Sequence, residues 1–83
     1  MKARRLIESS TYRPERLRVI FDAFDQAWTE IAPNFGSEPR TIEDARLRLA
    51  HACLIVSRED SVDPERIKMD ALQVMALAYR RRE

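Results

Sequence analysis

Histidine and cysteine are the residue types in this chain best suited to bind a metal ion or act as a nucleophile, and each occurs once, as His51 and Cys53. Residues two apart on a helix point in nearly opposite directions, so these side chains cannot share a ligand. Two ligands also fall short of the four protein groups that hold structural zinc. We therefore predict a buried structural cysteine and a surface histidine. A lone cysteine forms no internal disulfide and indicates a reducing compartment.

A second group of chemically active side chains is formed by the carboxylates of Glu59, Asp60 and Asp63. A calcium-binding EF-hand loop needs acidic or amide residues at alternate positions, a central glycine and a terminal glutamate, and this segment breaks that pattern. We interpret it as a solvated loop in which Asp63 caps the next helix. Gly36 is the only glycine, which excludes a glycine-rich phosphate-binding loop. We predict no catalytic residue, no cofactor and no metal ion.

Basic side chains are concentrated at the two ends of the chain, although the net charge is only +1. A nucleic-acid-associated regulator would use these ends to contact phosphates. Against this function, a recognition helix presents basic or amide groups near its N-terminus, whereas the last helix opens with Asp63 and Glu65. Cations at a helix C-terminus also complement its dipole. Nucleic-acid binding is therefore our alternative function, with these candidate phosphate contacts: Lys2, Arg4, Arg5, Arg80, Arg81 and Arg82.

The elements that position these residues are marked by three prolines, Pro14, Pro39 and Pro64, at a constant spacing of 25 residues. Each is followed three residues later by leucine or isoleucine. Proline is tolerated in the first turn of a helix, so this pattern marks helix starts. The second helix starts either at Pro39 or at a capping box from Thr41, and the sequence does not decide between them.

The resulting prediction is an all-α, three-helix up-and-down bundle with a short N-terminal arm. All 83 residues form one domain, because a second core would not fit. The helices are predicted at about 14–32, 39–57 and 64–82. Residues 1–13 show no convincing helical pattern and form an arm that is either docked or loose. The first helix has an apolar stripe whose aromatic members Phe21, Phe24 and Trp28 are predicted to form the centre of the core.

The last two helices carry an additional apolar seam that the first helix lacks. Its members are seven apart within each helix and occupy equivalent positions in the two helices: Leu47, Leu54, Leu72 and Tyr79. An exposed contiguous apolar surface usually marks an interaction site. We predict that these four residues form a partner or homodimer interface; the alternative is that the N-terminal arm or the bundle covers them.

Residues 52–56 form the longest apolar run, far short of the roughly 20 residues of a membrane span. The first residues also lack the apolar region of a secretory signal. We expect a cytoplasmic protein that does not contact a membrane. The predicted function is protein–protein interaction without catalysis, as a homodimer or a small adaptor.

Overall fold

The computed structural model describes residues 2–57 and 63–80, and every regular element in this part of the chain is helical. The four α-helices are α1 (Lys2–Glu8), α2 (Pro14–Ile31), α3 (Pro39–Val56) and α4 (Pro64–Arg80). A 3₁₀ turn, Ala32–Phe35, follows α2. The all-α prediction is confirmed for the described residues. Residues 81 and 82, included in the predicted last helix, lie outside them.

The prediction of a non-helical arm is wrong over Lys2–Glu8, which forms a fourth helix. Ala3 and Ile7, one turn apart, are both fully buried in the core. A seven-residue helix is too short to be stable alone in water. Its docked apolar face therefore stabilises α1, and local propensity contributes little. This long-range contact is not visible in the residues of the segment itself.

Each of the three long helices begins at the proline that marked it in the sequence. Pro14 and Pro39 lie in the first turns of α2 and α3, where the missing N–H removes no helical hydrogen bond. At α4, the carboxylate oxygen Oδ1 of Asp63 accepts a hydrogen bond from the backbone N–H of Glu65 at 3.1 Å, which confirms Asp63 as the cap. The structure thus selects Pro39 over Thr41 as the start of α3.

The helices α2 and α3 form a central pair with α4 on one side and α1 on the other. Within the described residues, α1 contacts α2 and α3 but makes no contact with α4, which packs against α2 and α3. Lys68 of α4 bridges to α2 through Glu30, with Nζ 3.3 Å from Oε2. On the other side, the guanidinium carbon of Arg4 lies 4.8 Å from the centroid of the Phe21 ring of α2.

The core is rich in alanine. Helix α2 therefore turns a different face to the core from the one that its large apolar residues predicted. The buried positions of α2 are Ile20, Ala23, Phe24 and Ala27. The prediction of three central aromatics is therefore right for Phe24 and wrong for Phe21 and Trp28, which are only partly buried. Because alanine side chains are small, α3 and α4 pack closely against α2 at Ala23 and Ala27. The larger rings of Phe21 and Trp28 lie at the edge of this helix–helix contact.

The described helices include none with both the length and the apolar content required to cross a membrane.

Candidate interaction surface

The helix α1 packs along the face that α2 and α3 present on its side. At its start, the backbone N–H of Lys2 donates to Oε1 of Glu43 at 3.2 Å. Beyond its end, the Tyr12 hydroxyl donates to the backbone carbonyl of Ser57 at 3.0 Å. The segment from Lys2 to Tyr12 therefore extends along α3 from Glu43 toward Ser57.

Three side chains from α2, the connection after it and α3 meet one another, and we call Trp28, Phe35 and Arg46 the aromatic corner. The rings of Trp28 and Phe35 stack with their centroids 5.8 Å apart and an angle of 16° between their planes. The guanidinium carbon of Arg46 lies 5.1 Å from the centroid of the Trp28 ring. All three residues are partly buried, so each retains some contact with solvent.

The connection between α2 and α3 positions Phe35 beside Trp28. Helix α2 ends at Ile31, and the 3₁₀ turn that contains Pro33 follows it directly. Gly36 then adopts a φ of 70°, a left-handed conformation that residues with a side chain rarely adopt. This reversal brings α3 back along α2, and Arg46 reaches the Trp28 ring from α3.

The guanidinium of Arg46 has a hydrogen-bond donor without an acceptor. Its Nε atom is buried and has no hydrogen-bond partner. Leaving such a donor unpaired in the interior costs about 1–3 kcal/mol. Within the part of the chain that the structure describes, Arg46 forms no ion pair, whereas the nearby Arg48 pairs with Asp44 at 3.1 Å. Arg46 therefore offers a positive charge and hydrogen-bond donors beside an aromatic surface.

Sequence reasoning did not identify the aromatic corner, although one signal for it was present. Arg46 lies one turn after the partly buried Ile42 and one turn before the buried Ala50. A charged residue between apolar positions of one helix face needs a partner group or contact with solvent, because burying an unpaired charge is costly. Phe35, in a connection, carried no periodic signal, and Trp28 was assigned to the core.

The four residues of the predicted interface do not lie in equivalent environments. Leu54 and Leu72 are partly buried and pack against the core, whereas Leu47 is partly buried without belonging to that set. Tyr79 lies on the last turns of α4, where the structure describes only the backbone.

The faces that carry these leucines also differ. Leu47 lies one turn after Glu43, on the side of α3 that α1 contacts through Lys2. Leu72 lies one turn after Lys68, on the side of α4 that pairs with Glu30 of α2. The two leucines are therefore placed beside different contacts: Leu47 beside the contact of α1 with α3, and Leu72 beside the ion pair of α4 with α2.

Among the candidate phosphate contacts, only those on α1 have described side chains. Lys2, Arg4 and Arg5 are exposed, and Arg4 already packs against Phe21. Arg80 ends α4 with its backbone alone described, and Arg81 and Arg82 lie outside the described residues. The structure therefore places three basic side chains on one short helix.

The side chains singled out for metal or nucleophilic chemistry are separated by burial. His51 is exposed and Cys53 is fully buried. Burial raises the pKa of the Cys53 thiol from 9.0 to about 12, which keeps it in the unreactive protonated form near neutral pH. Among residues 2–57 and 63–80, no group of three or more His, Cys, Asp or Glu side chains is placed to hold a metal ion. Glu59 and Asp60 lie outside these ranges.

Among the side chains that the structure describes, three large apolar ones are well exposed: Ile55 on α3, and Met69 and Leu77 on α4. Met69 and Leu77 are separated by more than two helical turns. Isolated apolar residues are common on protein surfaces and do not by themselves mark a binding site. The aromatic corner is distinguished from them by its stacked rings and its unpaired arginine.

Comparisons of the chain with models of protein families, with curated proteins and with solved structures find no match. Its function is therefore inferred from the residues and geometry described above.

Proposed function

We propose that this chain is a protein-interaction module without catalytic activity and that it binds its partner at the aromatic corner. The observation that supports this proposal is the Trp28–Phe35 stack, partly exposed, with the unpaired Arg46 against it. Tryptophan and arginine are enriched among the few residues that supply most of the binding energy in protein interfaces. A partly exposed pair of stacked rings also offers apolar area that a partner can bury.

The partner at this corner is a different surface, rather than the same corner of a second copy. In a symmetric dimer the same patch contacts itself. Two copies meeting at the corner would bring their Arg46 guanidinium groups together, and such like-charge contacts are costly. The homodimer predicted through Leu47, Leu54, Leu72 and Tyr79 would use other faces and is a separate hypothesis.

Site-specific photocrosslinking in the native host tests the proposal. The photoreactive residue benzoylphenylalanine replaces Asn34, which is exposed and adjacent to Phe35. The matched control carries it at Gln73, an exposed position on α4. We expect a discrete crosslinked protein from position 34 that is absent from position 73.

A second variant connects the crosslink to the corner. Adding Phe35→Ala to the position-34 protein should abolish the adduct, while circular dichroism shows that the helices are retained. Equal adducts from positions 34 and 73, or an adduct that persists without the Phe35 ring, would contradict the proposal.

A further inference from the structure

We infer that the ligand of the aromatic corner is a short apolar protein segment carrying one carboxylate, which pairs with the guanidinium of Arg46. This inference rests on the proposed function, because it identifies the chemistry of the partner at the same surface. It follows from three properties of the corner: an unsatisfied cation, an aromatic surface beside it, and a surrounding charge distribution that disfavours a polyanion.

The first property is that Arg46 lacks an acidic partner although carboxylates lie close to it in sequence. Asp44 pairs with Arg48 at 3.1 Å. Oε1 of Glu43 accepts the backbone N–H of Lys2. The carboxylates nearest to Arg46 on its own helix are thus engaged elsewhere, and Nε remains without an acceptor. Because Nε is buried, an external carboxylate would pair with the terminal Nη groups of this partly exposed side chain and so supply the missing charge.

The second property is the aromatic surface next to this cation. The Trp28 ring lies within 5.1 Å of the Arg46 guanidinium carbon and is stacked on Phe35. Contact with the ring partly compensates the arginine charge and replaces water around it. An incoming carboxylate would therefore meet a partly desolvated cation, for which ion pairing is stronger than in bulk water. Apolar residues beside the carboxylate would pack on the exposed parts of the two rings.

The third property is the charge of the segment that forms one wall of the corner. Residues 19–36, which include Trp28 and Phe35, carry three acidic groups and no basic group. Two of these acidic groups, Asp22 and Asp25, are exposed on α2. A nucleic-acid backbone would experience repulsion along this wall, whereas a single carboxylate directed at Arg46 would not need to approach it. These charges favour a protein segment over a nucleic acid.

Selection from a phage-displayed library of random peptides of about 12 residues tests the inference without knowledge of the natural partner. The immobilised proteins are the wild type, Arg46→Gln, and a matched control, Arg40→Gln, which removes an exposed arginine from the same helix. We expect the wild type and Arg40→Gln to enrich peptides with one Asp or Glu among apolar residues. Arg46→Gln should not enrich for the acidic residue.

The affinity of a selected peptide is then measured by the fluorescence of Trp28, the only tryptophan in the chain. We expect the peptide to bind Arg46→Gln at least tenfold more weakly than the wild type. Replacing the peptide's carboxylate by the corresponding amide should weaken binding to the wild type by a similar factor. The amide peptide should bind the wild type and Arg46→Gln equally, because the ion pair is already absent.

Other results would overturn the inference, and they separate it from the proposed function. Apolar peptides without an acidic preference, whose binding is lost in Phe35→Ala, would contradict the carboxylate ligand but support the protein-binding corner. Absence of enriched peptides together with absence of the position-34 crosslink would contradict both. A single-stranded oligonucleotide that changes Trp28 fluorescence at about 150 mM salt in an Arg46-dependent manner would assign the corner to phosphate instead.

Discussion

At the scale of single residues, the contrast between Phe24 and Trp28 decides how each contributes to stability. Phe24 is 1% exposed, whereas Trp28 retains solvent contact at the edge of the core. Truncating a fully buried phenylalanine removes about 3–5 kcal/mol, close to the whole stability of a small domain. In a domain of about 5 kcal/mol, we therefore expect Phe24→Ala to leave about 0–2 kcal/mol, so that a measurable fraction is unfolded at 25 °C without urea. Trp28→Ala should remain folded with a smaller loss, as measured by urea denaturation followed by circular dichroism. A Trp28 variant less stable than the Phe24 variant would contradict this assignment.

The buried thiol of Cys53 makes stability depend on alkaline pH. Burial raises its pKa from 9.0 to about 12, so between these values the unfolded chain has lost a proton that the folded chain retains. The contribution of the thiol is therefore complete below about pH 9 and is lost as the pH rises toward 12. A fully developed difference of one proton lowers the free energy of unfolding by about 1.4 kcal/mol per pH unit.

Urea denaturation at several pH values measures this dependence, and Cys53→Ala should flatten the decline between pH 9 and about 10.5. The side-chain hydrogen bonds of Lys68 with Glu65 and Glu30 also raise the pKa of Lys68 above its ordinary 10.5. Its contribution is likewise lost on going to higher pH, but only above about 10.5, so it remains in Cys53→Ala. If the free energy of unfolding of the wild type and of Cys53→Ala changed identically with pH, the pKa of the thiol would not be raised by burial.

At the scale of elements, α1 is an integral part of the packed structure. Ile7 is fully buried on the side of α1 that faces α2 and α3, while Arg5 is exposed on the opposite side of the same short helix. We expect Ile7→Ala to reduce the free energy of unfolding by about 2–5 kcal/mol, as for other buried isoleucines. Arg5→Ala, the matched control, should change it by less than about 0.5 kcal/mol. Equal, small effects in urea denaturation would indicate an undocked N-terminal segment.

The packing of α3 also sharpens the test of the predicted homodimer. Leu54 packs against the core, so Leu54→Glu should destabilise the fold whether or not a dimer exists. Leu47 is the better probe, because it is partly buried and lies outside the set that packs on the core. We expect light scattering to show a dimer for the wild type and a helical monomer for Leu47→Glu. A wild type that is monomeric at millimolar concentration would contradict the homodimer.

At the scale of the whole molecule, the distribution of charge limits nucleic-acid binding. Lys2, Arg4 and Arg5 are exposed on one short helix, and the net charge of the chain is only +1. We expect retention on a DNA or RNA column to disappear between about 50 and 200 mM salt, as for non-specific phosphate contacts. A nucleic-acid-associated regulator would instead show sub-micromolar binding that persists at 200 mM salt. That binding would be lost when the basic residues among 2–5 and 80–82 are neutralised.

The sequence by itself determined the features that depend on local chemistry. Proline in the first turn does not disturb a helix but cannot occur further along without breaking one, so Pro14, Pro39 and Pro64 marked the starts of α2, α3 and α4. The carboxylate cap of Asp63 and the burial of Cys53 on an apolar stripe were predictable for the same reason. Each depends on residues within a few turns of the same segment.

Only the tertiary structure decided which faces of these helices are covered. The helicity of α1 depends on the burial of Ala3 and Ile7 by α2 and α3, and the rotation of α2 depends on alanines that contribute little to an apolar pattern. The aromatic corner likewise requires the 3₁₀ turn to bring Phe35 to Trp28, and the reversal at Gly36 to bring Arg46 there. Periodicity reports the apolar face of a single helix, whereas these contacts depend on how closely separate helices approach one another.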